Sequence, residues 1–581
     1  MKRVYLLLTL LCLAASGCGS DTILPFEDNP WSNSSSIIPD AEDNISSIPT
    51  SGDPLDSEDD IAETTFSRTI GIHFSPSGAA VTGDDKGIVS VSGNQVTVNN
   101  TSGEKIRYEL SGTASDGFLK IYSDKKQALV LNGLDLTNKH GAAINNQGKK
   151  RCFVVLTGEN RLADGSTYSL TPDSEDEKAA FFSEGQLIFS GEGSLTVTAT
   201  GKAGITSDDY IRIMDGPTVQ VKSSAGHGVR GKDAVIVSGG TLSVEVTADM
   251  KKAVCSDSLI RFDGGATTLA VSGNAAYDDD DKEYKGSAGV KADQRFEMNG
   301  GSLTVTNAGT GGKGISGDAL GIFAGGTVEV TVTGDNYGKS SSGKFGGNSS
   351  SEDSVGAKGI KFDGNLYFTG STVKVNAKSH EGIEAKGFLA VTNGSVYSYS
   401  AADDAINSGS TMSLRGGYIY ACSAGNDGLD ANGNLFIKGG LVYAVGSKTP
   451  EVAVDANTEY GYHLYLQGGT LIAVGGLENS SSLTQDCYQA SSWSKDAWYA
   501  LSFEQTTVAF KAPSTDGNGL IVSAASEPTL KSGVSASGGT SVLDGAVLLG
   551  PTVSGGSSVS LSAYTSSSGG FGGGGFGPGR F

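Results

Sequence analysis

Residues 381–403, EGIEAKGFLAVTNGSVYSYSAAD, are followed by 404–426, DAINSGSTMSLRGGYIYACSAGN, and by 427–449, DGLDANGNLFIKGGLVYAVGSKT. Written under one another, the three lines share two columns. One is a small residue followed by an aliphatic one: Gly382-Ile383, Ala405-Ile406 and Gly428-Leu429. The other is a glycine, at Gly394, Gly417 and Gly440, followed by an alternating segment of aliphatic and aromatic residues. The first column extends back through Gly204-Ile205, Gly228-Val229, Ala253-Val254, Gly289-Val290, Gly314-Ile315 and Gly359-Ile360, and forward to Ala453-Val454. The second takes in Gly193, Gly216, Gly240, Gly265, Gly301, Gly326, Gly370 and Gly469, with most steps at 23–25 residues. A fixed period of this size marks a solenoid. Its longer steps contain insertions, YDDDDKEY at 277–284 and a Ser/Gly/Asn-rich stretch near 338–354.

Each unit holds short segments of period-2 alternation separated by Gly, Asn, Asp or Ser, and none has helical periodicity. Three strands per turn predict an all-β, right-handed parallel β-helix, whose coils pair at about 4.8 Å and bury their aliphatic residues in a central stack. The open ends of such a stack need covering. The solenoid is expected over 66–476, with cap coils in its N-terminal part up to about residue 150. A less regular β cap or small β element follows at 477–550.

At the N-terminus Lys2 and Arg3 precede the apolar run 4–15, which ends in small residues before Cys18. This reads as a signal peptide, 1–17, and Ala15-Ser16-Gly17-Cys18 resembles a bacterial lipobox. Cys18 is the expected lipidation site, placing the protein at the bacterial cell envelope, on the outer membrane and exposed at the surface. Residues 18–65 are rich in Ser, Asp, Pro and Asn and read as a flexible linker. Residues 551–581, Ser/Gly-rich and ending GGFGGGGFGPGRF, read as a disordered tail.

The formal charge is −22, and −24 without Lys2 and Arg3. Such a surface repels nucleic acid and anionic lipid, so the lipid is the expected membrane contact, and a polyanionic partner would need a bridging cation. Cys152, Cys255, Cys422 and Cys487 show no metal-type spacing and are too few for a disulfide scaffold, although one bridge is open to them.

The runs HEGIEAKG (380–387), SAADDAIN (400–407) and GNDGLDANG (425–433), with GKAGITSDD (201–209) and GHGVRGKD (226–233), resemble a family of bacterial carbohydrate-binding domain-containing β-helix proteins. These bind cellulose and acidic sugars and are structurally similar to pectate lyases. The resemblance covers about 80–475 and implies a calcium-containing, non-catalytic sugar binder.

The residues themselves point the same way at one place. Aligning the small-aliphatic column stacks Glu381, Asp404 and Asp427 just before it and Glu384, Asn407, Asp430 and Asp455 just after it, with Asp403 beside them. Carboxylates about 5 Å apart on adjacent coils repel unless a cation lies among them, and an all-oxygen set suits Ca²⁺. A solvated acidic column is the alternative. In earlier coils the position after the column holds Thr206, Arg230, Cys255, Lys291, Ser316 and Lys361, so the acidity is local. The acidic run 278–281 reads as a solvated loop.

Counting from the glycine turns, Tyr397, Tyr420 and Tyr443 point outward on three successive coils, with Tyr399 on the same face. An aromatic ladder can stack against sugar rings or serve only to stabilise the sheet. The expected function is therefore a non-catalytic, calcium-binding extracellular binder of plant-type polysaccharide, cellulose or pectin-like. A calcium-dependent lyase, with Lys386 or Arg415 as base, and an adhesive surface rod remain as alternatives. A polygalacturonase is disfavoured, because His227 would sit six coils, roughly 29 Å, from Asp404, whereas acid–base chemistry needs contact.

Overall fold

The computed structural model describes residues 57–169, 175–338 and 354–566. The leader, Cys18 and most of the linker and of the C-terminal tail lie outside the described residues. Within them the chain is a parallel β-solenoid with no α-helix.

Each coil contributes one short strand to a sheet of fifteen, such as Ile383–Ala385, Ile406–Ser408 and Leu429–Ala431. The rest of the coil forms two further faces. Strands such as Leu366–Ala377 and Leu389–Ser400 run through the corner between those faces and join them into a sheet of thirty strands. The register follows the repeat: Ile360 pairs with Ile383, Ile383 with Ile406, Ile406 with Leu429 and Leu429 with Val454, all in parallel. These aliphatics are fully buried in one continuous core that runs from Ile70 to Ile521.

The turn glycines Gly216, Gly240, Gly265, Gly301, Gly326, Gly394, Gly417, Gly440 and Gly469 all take positive φ. A Cβ on Gly417 would lie 2.6 Å from the Gly394 carbonyl oxygen of the neighbouring coil. The period thus records a backbone that only glycine tolerates at that spacing.

Three segments differ from the compositional reading. Residues 57–65, counted with the linker, are packed: the 3-10 turns Ser57–Asp59 and Ile61–Glu63 lie on the solenoid, and Asp59 is buried. Its carboxylate accepts from Arg212 and Arg151, both at 2.8 Å, and from the Tyr210 hydroxyl at 2.5 Å. At the other end, Thr552–Val559 and Leu561–Tyr564, counted with the tail, are paired strands. The loop 277–284 is a hairpin, in which Ala276–Asp278 pairs with Glu283–Lys285.

The region after the last coils does two jobs. Leu520–Ser523 pairs antiparallel with Thr470–Val474 and covers the last sheet edge. A six-stranded antiparallel sheet, including Trp498–Phe503, Thr506–Lys511 and Thr529–Ser537, lies against the flank of the solenoid. Cys152, Cys255, Cys422 and Cys487 are buried free thiols.

Candidate functional site

The fifteen-strand sheet carries the acidic column. Its register places Lys361 beside Glu384, Glu384 beside Asn407, Asn407 beside Asp430 and Asp430 beside Asp455, the order the repeat predicts. The second column is tied by backbone bonds from Gly359 to the Glu381 carbonyl, from Gly382 to that of Asp404 and from Ala405 to that of Asp427. The predicted metal ligands therefore stand on neighbouring coils. They separate into two groups.

Glu381, Glu384 and Asp403 have protein cations of their own. Lys358 reaches Glu381 at 3.1 Å and Glu384 at 2.6 Å, and His380 pairs with Glu381 and with Asp403, the latter at 2.8 Å. Burial alone would lower the His380 pKa, but its bonds to Asp403 and Glu381 outweigh that and hold it at about 9. Lys358 and His380 thus neutralise these three carboxylates, while His380, Glu381 and Asp403 also bring one ligand atom each within 4.8 Å of one another, close enough to share a metal ion were the imidazole deprotonated.

Asp404, Asp427, Asp430 and Asp455 pair with no Lys, Arg or His among the described residues. Asn407 donates its amide to Asp404 at 3.1 Å and to Asp430 at 2.7 Å. Asp427 accepts the Val452 amide at 2.6 Å, and its own amide donates to Asp404 at 3.1 Å. Burial, reinforced by Glu451 and Asp430, pushes the Asp427 carboxyl up to about 8. Asp404 is raised by burial and by Asp430, Asp403 and Asp427; Asp455 by burial and by contact with Glu478. Asp430 is raised by burial and by Asp403 and Glu381. Glu478 extends the column by one more repeat: Gly476-Leu477 continues the small-aliphatic pair, Leu477 bridges Val454 in parallel, and the Glu478 amide donates to the Val454 carbonyl at 3.0 Å.

The tyrosine ladder points away from the solenoid core, as predicted, but it is not open to solvent throughout. Tyr397 and Tyr420 stack with centroids 4.8 Å apart, and Tyr443 meets Tyr420 edge-on at 5.0 Å. Tyr443 is fully buried and Tyr420 nearly so, because the C-terminal sheet seats Phe510 against Tyr443 and the Tyr443 hydroxyl donates to the Lys511 carbonyl at 2.7 Å. Tyr443 anchors the sheet and offers no ring face to a polymer, while Tyr420, though mostly buried, still lines part of the neighbouring cleft. Tyr397 and Tyr399 stay half-buried on the wall of a cleft of about 520 Å³, closed on its far side by Pro513, Thr515 and Asp516.

Of the residues considered for an enzyme, His227 is distant from the acidic column and Lys386 is held in an ion pair. His227 is six paired strands from Ile406. Its Nδ1 accepts the Lys252 amide at 3.0 Å, and burial drives its pKa down to about 3. Lys386 is engaged by Asp363 at 2.7 Å.

A family model described as "Carbohydrate-binding domain-containing protein" matches residues 92–428 and 354–492. A protein of the same description from Acetivibrio thermocellus is 29% identical over 158 residues, or 24% of this chain and 54% of that relative. The chain thus spans about half the length of the curated relative it matches. Among solved structures, a polysaccharide lyase-like protein from C. thermocellum, a gadolinium derivative, is 18% identical with a TM-score of 0.31, over 56% of this chain and 96% of that one.

Proposed function

This chain belongs to the carbohydrate-binding domain-containing protein family, and from that premise we propose that it is a non-catalytic polysaccharide-binding solenoid, lipid-anchored at Cys18 in the cell envelope. The observation that carries the reading is the cleft of about 520 Å³ walled by Tyr397 and Tyr399. Tyr397 is fixed by stacking on buried Tyr420, so a sugar ring meets an aromatic face that needs no ordering on binding. A neutral, cellulose-type chain needs nothing more.

The acidic column supports a second element, a resident Ca²⁺. Asp404, Asn407, Asp427, Asp430, Asp455 and Glu478 offer oxygen donors alone, which suits a hard cation. The fit rests on carboxylates that have no cationic partner among the described residues and are driven toward protonation by burial and by one another. When bound, the ion neutralises the column and offers coordination to the carboxylates of a pectin-type chain, which the surface otherwise repels.

The test is a glycan array on the whole protein, with calcium or with chelator, beside an assay for unsaturated products on polygalacturonate. Cello-oligosaccharide binding that survives chelation and falls at least about tenfold in a Tyr397→Ala/Tyr399→Ala variant supports the cleft. Unchanged binding in that variant, with an unaltered melting temperature, overturns it. Release of unsaturated product overturns the non-catalytic reading.

A further inference from the structure

The sheet that carries the acidic column changes sign along its length. Downstream of the Lys358–Glu381 pair its two columns are mostly acidic; upstream the same positions include Lys252 and Lys313 in one and Arg230, Lys291 and Lys361 in the other, interleaved with the neutral Ala288, Cys255 and Ser316. The hairpin of Ala276–Asp278 and Glu283–Lys285 rises beside this basic stretch and walls a cavity of about 490 Å³. Tyr284 lines it, its ring held by Tyr277 at 5.1 Å and Tyr337 at 5.5 Å.

The charges inside do not balance locally. The rim carboxylates are already engaged: Asp257 takes both bonds from Arg230, at 2.8 and 2.9 Å, and Asp293 and Asp318 both pair with Lys291. Lys252 donates to the Met250 carbonyl at 2.7 Å, and neither it nor Lys313 forms an ion pair with a carboxylate among the described residues; Glu384 attracts Lys313 less than the surrounding lysines repel it. A sheltered ammonium without a counter-charge is costly to keep. Burial, together with Lys361, Lys358 and Lys252, pushes Lys313 down to about 7, and burial pushes Lys252 down to about 8.

We propose that this pocket is an anion-recognising saccharide subsite, which takes a sugar ring bearing a carboxylate or sulfate group between Lys252, Lys313 and the face of Tyr284. The proposal rests on the carbohydrate-binding reading above and adds a second site to it. Lysine supplies the point charge that an exocyclic anionic group needs, the tyrosine face supplies the apolar contact a ring needs, and the cavity falls within the roughly 300–1,000 Å³ of small-ligand sites. The net charge of −22 hides this local reversal. An acidic sugar can be held here by the protein's own cations, with no bridging metal.

The experiment is titration calorimetry on the whole protein in chelator, with trigalacturonate, 6-sulfated galactotriose, uncharged galactotriose and inorganic sulfate as probes. One of the charged trisaccharides binds at least about tenfold more tightly than both the uncharged one and inorganic sulfate, and weakens as salt is raised; the tighter of the two identifies the anionic group. Lys313→Met and Tyr284→Ala each weaken it at least about tenfold, and the second change lies on the hairpin, outside the stacked core. Equal binding of charged and uncharged trisaccharides, inorganic sulfate as tight as either, or full binding in both variants overturns the proposal. Chelator silences the calcium column, and neutral glucan with the Tyr397→Ala/Tyr399→Ala variant reads the cleft separately. Failure of this subsite and failure of the proposed function are therefore distinct results.

Discussion

Replacing Asp427 by Asn keeps the side chain's shape and an acceptor oxygen for the Val452 amide, which it now takes at 2.6 Å, and removes only the charge. The Asp427 carboxyl stands at about 8 in the folded protein against an ordinary 3.8. Between those values the folded form holds a proton that the unfolded chain has lost. Stability without a cation therefore falls as pH rises through this window, by up to about 1.4 kcal/mol per pH unit for this group. At pH 7 the accumulated cost is of the order of 4 kcal/mol, and the asparagine does not bear it. A cation bound only by the folded state acts in the opposite sense, adding about 2.7 kcal/mol at a hundredfold excess over Kd. Thermal melting from pH 4.5 to 8, in chelator and in calcium, reads both effects. In chelator the parent loses melting temperature as pH rises and Asp427→Asn loses less; in calcium the parent regains it near neutral pH and the variant does not. A parent whose melting is indifferent to both pH and chelator refutes the argument, and the column then holds neither the trapped proton nor an ion. A calcium gain of equal size in both proteins places the ion elsewhere.

Asp59→Ala leaves Arg212, which is 1% exposed, without its carboxylate and should cost about 3–5 kcal/mol in urea denaturation; a loss below about 1 kcal/mol means the N-terminal turns do not hold the solenoid. Gly417→Ala forces a left-handed backbone onto alanine and a Cβ against the Gly394 carbonyl, so it should destabilise by about 1–2 kcal/mol for the backbone alone, read by the same method. Cys18→Ala should release the protein from membrane fractions into the soluble one, and retention of the variant in membranes removes the case for the lipid anchor.

The solenoid and the order of its columns were legible in the sequence because a parallel stack turns a sequence period directly into spatial adjacency. Residues one repeat apart, such as Asn407 and Asp430, must become neighbours once the aliphatic column points inward. The same logic oriented Tyr397, Tyr420 and Tyr443 away from the core. What it could not reach were contacts made by segments outside the period. Asp59 meets Arg212 across 153 residues, a pairing no local pattern announces. The hairpin at 276–285 walls the basic pocket, and the C-terminal sheet covers Tyr443 while leaving Tyr397 half open. His380 and Lys358 lay in plain sight, but whether a charged side chain neutralises a neighbouring carboxylate or turns to solvent depends on side-chain direction, which the period does not encode. The repeat thus determined which residues share a face, and the folding of the non-repeating segments over it decided which of them a ligand can reach.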